Sequence, residues 1–227
     1  MNWDVIIESI PGLLRGAWLT LELVVFSGML GLAIAVPMAV ARTSRSVWVQ
    51  AFPWAYIYFF RGTPLLVQIF LVYYGFGQFA AVRDSFLWPV LSQAYWCAII
   101  AFTLNTSAYT AEILRGAIQV VPSGEVEAAR ALGMSTVVTW RRIILPRAFR
   151  IALPAYSNEV ILMLKGSALA STITLLDLTG MARTIIARTY MPVEIFLAAG
   201  ALYVVLTFLI LSGFRLVERR LNRHRVG

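Results

Sequence analysis

Charge, cysteine, histidine and lysine are what this 227-residue chain has little of. Charged residues make up 13% of it, about half the share in a soluble globular domain. Hydrophobic residues make up 60%, and the mean hydropathy is +0.78. A soluble fold is therefore excluded, and the reading is an all-α, polytopic membrane protein in one domain, residues 1–227. The lone Cys97 lies inside an apolar run, which leaves no intrachain disulfide and no thiolate metal site. His224 is the single histidine, so zinc sites of the usual spacings are excluded and no metal or other cofactor is expected. No Gly-x4-Gly-Lys-Ser/Thr, His-Glu-x-x-His or Gly-x-Ser-x-Gly pattern occurs, so nothing marks an enzyme or an ATP-binding chain. The N-terminus carries Asp4 and Glu8 and no basic residue before Arg15. It lacks a signal peptide's basic region and reads as a retained first helix.

The net charge of +8 does not point to nucleic acid, because the arginines fall in loops between apolar spans. Five transmembrane helices are expected, near residues 17–41, 52–79, 91–113, 148–164 and 193–214. Arg42 and Arg45 follow the first. Arg130, Arg141, Arg142, Arg147 and Arg150 lie between the third and fourth. Arg215, Arg219, Arg220, Arg223 and Arg225 follow the fifth. The positive-inside rule puts these segments in the cytoplasm, with the N-terminus outside and the C-terminus inside. Lys165, Arg183 and Arg188 run against the rule. Lys165 precedes, and Arg183 and Arg188 lie within, a segment, residues 166–192, in which Leu175, Leu178, Met181, Ile185 and Ile186 recur at helical spacing. It reads as an amphipathic helix lying at the outer surface, or else as one packed on the bundle as a plug.

Residues 122–146 form a charged, helix-forming stretch between apolar spans. Pro122 and Ser123 signal a helix start, and Glu125 and Glu127 suit the positive end of its dipole. Gly133 supplies a left-handed stop. A helix of about nine residues is too short to stand alone in water, so it must pack on something. Ser135 offers a second start, and Pro146 is expected to end that second helix.

Ionisable residues inside spans need a partner or a wet cavity, since an acidic side chain at the bilayer centre costs roughly 2.5 kcal/mol or more. Asn105, Tyr109, Glu112 and Gly116 fall on one face of the third span. Glu159 sits mid-span in the fourth, close to Pro154, Ser157 and Asn158, where proline interrupts the backbone ladder. Arg61-Gly62-Thr63-Pro64 marks a similar break in the second. One reading has Asn105, Tyr109, Asn158 and Glu159 lining a substrate pathway for a polar, cationic solute. The other has Glu112 paired with Arg61 or Arg115, and Glu159 with Lys165, as structural locks. Ser107 and Ala108 read as small residues that let helices approach closely.

Glu127-Ala128-Ala129, Gly133, Ile143, Leu145 and Pro146 fill every fixed position of EAA-x3-G-x9-I-x-LP. This resembles the EAA motif of the membrane subunits of bacterial ABC importers. In that family the segment is a cytoplasmic coupling helix that docks into a cleft on the ATPase. RGTPLLVQ (61–68), TLNTSAYTAEILRGAI (103–118) and RIALPAYSNEVILMLKGSALASTITLLDL (150–178) resemble the polar amino acid uptake permeases. They are most similar to the M-type permease of histidine, basic amino acid and opine (octopine, nopaline) systems. The resemblance implies the type I permease fold in a bacterial inner membrane. It also implies a second homologous permease subunit, favoured over a homodimer, two ATPase subunits and a periplasmic solute-binding protein. Glu127, Ala128, Ala129, Gly133, Ile143, Leu145 and Pro146 would then couple the chain to the ATPase. The competing reading is an ion-coupled secondary transporter, with Glu112 and Glu159 as proton sites. Such proteins usually show two halves of repeated hydropathy, and none is visible here.

Overall fold

A computed structural model describes residues 2–222, and the expectations for Arg223, His224 and Arg225 lie outside the described residues. Every regular element among the described residues is helical. Helix α1 spans Trp3–Arg42 and continues through Pro11 and Pro37. Its 40 residues make it about 60 Å long, twice the hydrocarbon thickness of roughly 30 Å. Helix α2 (Val47–Gly62) and α3 (Leu65–Phe70) follow, the latter continuing as a π turn (Leu71–Gly75) and a 3-10 turn (Phe76–Gln78). Two single turns, α4 (Ala80–Arg83) and α5 (Trp88–Leu91), lead to α6 (Ala94–Gln119). Then come α7 (Ser123–Ala131), α8 (Thr136–Thr139) and α9 (Leu145–Gly166), with a π turn at Trp140–Ile144 between the last two. A 3-10 stretch (Ser167–Ile173), α10 (Leu178–Thr189) and α11 (Pro192–Asn222) complete the chain.

Among the described residues three helices, α1, α6 and α11, are long and apolar enough to cross a membrane, and the number rises to five if each of two bent pairs counts as one span. The expected second span is one such pair. It turns by 105° between α2 and α3 at Thr63–Pro64, far more sharply than a kinked helix. The other pair joins residues 136–173 to α10 with a bend of 50°.

Helices α1 and α6 form the central contact. A Cβ on Gly31 would sit 3.4 Å from the Ser107 nitrogen, and Ser107 and Ala108 are fully buried. Small residues give the backbones this approach. Helix α9 packs on α6, and α11 packs on α9 and α1. The outward faces are apolar, with Trp18, Met29, Val204 and Phe208 all well exposed, as suits a chain whose outer solvent is lipid.

Two expectations need correction. The segment after Gly166 is not one amphipathic surface helix. Its helical repeat is interrupted by Thr174, which is left-handed at φ 69°, and restarts at Asp177, whose carboxylate accepts hydrogen bonds from the Thr179 and Gly180 N–H groups. Leu178 and Ala182 are buried against α1 and α11, so the packed arrangement is the one observed. Pro146 does not end a helix either. It lies in the first turn of α9, and helical structure runs from Thr136 to Gly166. The π turn before it widens the backbone where the proline ring would otherwise press on the Arg142 carbonyl.

Candidate functional site

Two regions collect the residues singled out in the sequence. The first is the projection between α6 and α9. Helix α7 ends in a Schellman motif: the Gly133 N–H donates to the Arg130 carbonyl (2.9 Å) and the Met134 N–H to the Ala129 carbonyl (3.0 Å). Gly133 has φ +75°. Ser135 caps the next helix, its Oγ accepting from the Val138 N–H at 3.5 Å. Ala129 faces inward, while Glu127, Ala128, Gly133 and Pro146 are exposed and Ile143 and Leu145 half-buried. Leu132 and Val137 stand 80% and 76% exposed on either side of the turn. An ion pair of 3.0 Å between Glu125 and Arg147 ties α7 to α9. The projection is thus a stiff turn with an uncovered apolar tip.

The second region lies at the middle of α6. Asn105, Tyr109 and Glu159 line one cavity of about 200 Å3 with Leu65, Phe102, Leu162 and Met163. Glu159 is 8% exposed and accepts one hydrogen bond, from Thr106 Oγ1 at 3.2 Å. Asn105 is anchored by its amide nitrogen, which donates to the Phe60 carbonyl (3.3 Å) and to Gln68 Oε1 (3.0 Å). Asn158 is not brought to this cavity; it is exposed on another face of α9.

Beside the cavity is an open groove of about 590 Å3, lined by Arg42, Trp54, Tyr58, Arg61, Tyr109 and Glu112 among others. Glu112 is gripped by Arg115, from Nη2 at 2.7 Å and from Nε at 3.0 Å to both oxygens. The other cation on Glu112 is Arg42, at 3.6 Å, rather than Arg61. The guanidinium of Arg61 instead lies over the Tyr109 ring, 5.2 Å from its centroid. The lock expected between Glu159 and Lys165 is absent among the described residues. A separation of six residues places the two about 120° apart around the helix, and Lys165 is exposed.

Gln68 is the site residue that the sequence reading passed over. It is 3% exposed, and its amide donates to the Phe60 carbonyl (2.9 Å), the Thr63 carbonyl (3.0 Å) and Thr63 Oγ1 (2.8 Å). Two of these acceptors are carbonyls orphaned where α2 breaks. Gln68 and Asn105 together satisfy the broken end and pin it to α6. A buried glutamine four residues after a proline was the available signal.

The chain thus presents a helical projection with an uncovered tip, joined to helices that enclose a polar cavity. The model of a family described as binding-protein-dependent transport system inner membrane component matches residues 29–223. The chain belongs to that family. It is 52% identical over 211 residues to the octopine transport system permease protein OccM of Rhizobium meliloti, covering 93% of this chain and 86% of the relative. It is 48% identical over 231 residues to the nopaline transport system permease protein NocM of Agrobacterium fabrum, covering 100% and 96%. It is 46% identical over 210 residues to the histidine/lysine/arginine/ornithine transport system permease protein HisM of Escherichia coli K12, covering 92% and 88%. A crystal structure of an amino acid ABC transporter with histidines contains a chain of the same fold, with TM-score 0.84 and 34% identity, covering 97% of this chain and 99% of that one. The MetNI methionine ABC transporter shares the fold at 20% identity, with TM-score 0.77 and 92% and 96% coverage. The chain is accordingly a permease subunit of the ABC importer kind and not an enzyme. Membership in a binding-protein-dependent inner membrane family carries with it a binding protein and an ATPase as partners.

Proposed function

We propose that this subunit forms the translocation path for basic amino acids or opines, delivered by a periplasmic binding protein. The observation that carries the reading is Glu159. It is a buried carboxylate in a cavity shared with Asn105 and Tyr109, and one threonine hydroxyl is its hydrogen-bond partner. An acidic group at membrane depth without a counter-cation is costly, and a cationic solute would supply that counter-charge. The octopine, nopaline and histidine/lysine/arginine/ornithine names of the relatives support the same solute class.

The tip of the α7–α8 projection docks into the ATPase in this reading. Glu127, Ala128, Ala129 and Gly133 form the first helix and turn, and Ile143, Leu145 and Pro146 seat the second against the bundle. A homologous but inequivalent permease subunit completes the path, and two ATPase subunits serve the pair. The arginine-rich segments and the projection face the cytoplasm, with the N-terminus outside and the C-terminus inside.

The test is solute-stimulated ATPase activity of the copurified complex in proteoliposomes, with its binding protein and with arginine, histidine, octopine or glutamate. Stimulation by the cationic solutes or octopine is expected, and it should be lost in Glu159→Gln while the complex still assembles. Stimulation by glutamate alone would remove the cationic-site argument. Uptake that follows a proton gradient without ATP would restore the secondary-transporter reading.

A further inference from the structure

Arg61 is the cation of the α2–α6 groove that the ion pairs leave over. Glu112 already holds Arg115 and Arg42. Among the described residues Arg61 has no carboxylate within ion-pair distance. A cation in the last turn of a helix ordinarily answers the exposed carbonyls there. Here the Phe60 and Thr63 carbonyls are taken by the amides of Gln68 and Asn105, so the helix end does not need Arg61. The guanidinium is instead stacked over Tyr109 and exposed on the groove wall. Tyr109 also lines the cavity of Glu159, which among the described residues has no cation within ion-pair distance. One aromatic ring therefore borders both the groove that holds the guanidinium and the cavity that holds the buried carboxylate.

We propose that Arg61 binds the α-carboxylate of the transported amino acid while Glu159 faces its cationic end, with Tyr109 as the platform between them. The inference rests on the solute path proposed above and adds to it the group that reads the carboxylate. The planar fork of a guanidinium suits a carboxylate, and stacking on Tyr109 fixes its orientation in advance. The site then selects zwitterionic amino acids over amines of the same side chain.

The test is equilibrium binding of labelled arginine to the assembled transporter in nanodiscs without the binding protein, which would impose its own selection. Agmatine, which is arginine without its carboxyl group, is the competitor. Arginine should bind at least about tenfold more tightly than agmatine, the size expected for a charge-assisted contact. Arg61→Gln should bring arginine down to the agmatine level and leave agmatine unchanged. Arg61→Lys should keep a reduced preference, and this variant decides the matter if Arg61→Gln fails to assemble. Equal affinities in the wild type, equal weakening of both ligands by Arg61→Gln, or no preference in Arg61→Lys would each overturn the role of Arg61. Glu159→Gln separates the two levels: full arginine affinity in that variant removes the cavity as the path, and with it this inference. A wild-type complex that binds neither ligand removes the basic-amino-acid reading itself.

Discussion

Replacing Gly133 isolates the contribution of the turn at the tip of the projection. A Cβ built at Gly133 meets nothing within 4 Å, so a side chain there causes no clash within this chain. The cost is in the backbone, which sits at φ +75°. An L-residue held in the left-handed region costs roughly 1–2 kcal/mol, and a β-branched one is a genuine outlier there. That is a factor of about 5–30 in the population of the formed turn. The loss falls on the two Schellman hydrogen bonds and on a nine-residue helix that cannot hold itself. Gly133→Val should therefore abolish ATPase copurification with a tagged permease and solute uptake. Gly133→Asn should retain most of both, since asparagine tolerates the left-handed region. Wild-type uptake and copurification in Gly133→Val would refute the reasoning. An asparagine variant as defective as the valine one would show that the partner needs a bare surface at this point, not the turn.

Two further substitutions test the packing around the site. Gly16→Ala should lower the unfolding temperature of the detergent-solubilised complex, because the added carbon would lie 2.8 Å from the Asp177 carbonyl and 2.9 Å from Leu178 Cα. The expected cost is about 1–3 kcal/mol, while Gly116→Ala, with open space around it, should show no loss. Gln68→Leu should destabilise by about 1–3 kcal/mol for the Thr63 carbonyl left unpaired, the Phe60 carbonyl keeping Asn105, and should also lower uptake, since it removes one of the two contacts that anchor Asn105. An unchanged unfolding midpoint in Gln68→Leu would mean that water serves the broken end of α2 equally well.

What could be read in the sequence was what is encoded locally. Gly133 announced itself because a left-handed turn after a short helix has few other solutions, and the apolar runs of α6 and α11 follow from composition alone, whereas α1 begins fourteen residues before the expected span at 17–41. Pro146 was misread because a proline that ends one helix and a proline that opens the next look alike in one dimension. The Glu159–Lys165 pair failed on helical phase, which was calculable. Arg42 on Glu112 was out of reach, because seventy positions separate them and only the packing of α1 on α6 brings them together. The same holds for Gln68, whose acceptors are the carbonyls of a break that the chain's local pattern marks only as a proline. Asp177 was legible as a helix cap. It was hidden by carrying the apolar repeat back through Leu175, across a left-handed residue that sequence does not flag at a threonine.

The proposed coupling follows from which helices meet at the projection. Helix α6 carries Asn105 and Tyr109 and ends at Gln119, three residues before α7 begins. Helix α9 carries Glu159 and continues, through the π turn, the helix that follows Gly133. Tyr109 is about 15 Å from the end of α6 along its axis, and Glu159 about 21 Å from the start of α9. One wall of the cavity therefore continues helically into the projection, and the other connects to it through residues 120–122. The Glu125–Arg147 pair bridges α7 and α9, but a partly exposed ion pair contributes at most about 1 kcal/mol. It sets the angle of α7 and does not carry the load. In the proposed coupling, displacement of the tip would pass instead through the backbone to a cavity whose two sides belong to different helices, joined across by the Thr106–Glu159 hydrogen bond. The π turn at Trp140–Ile144, immediately before Pro146, is where that path departs from α-helical geometry. In the proposed coupling, bending between the tip and the cavity would concentrate at this π turn.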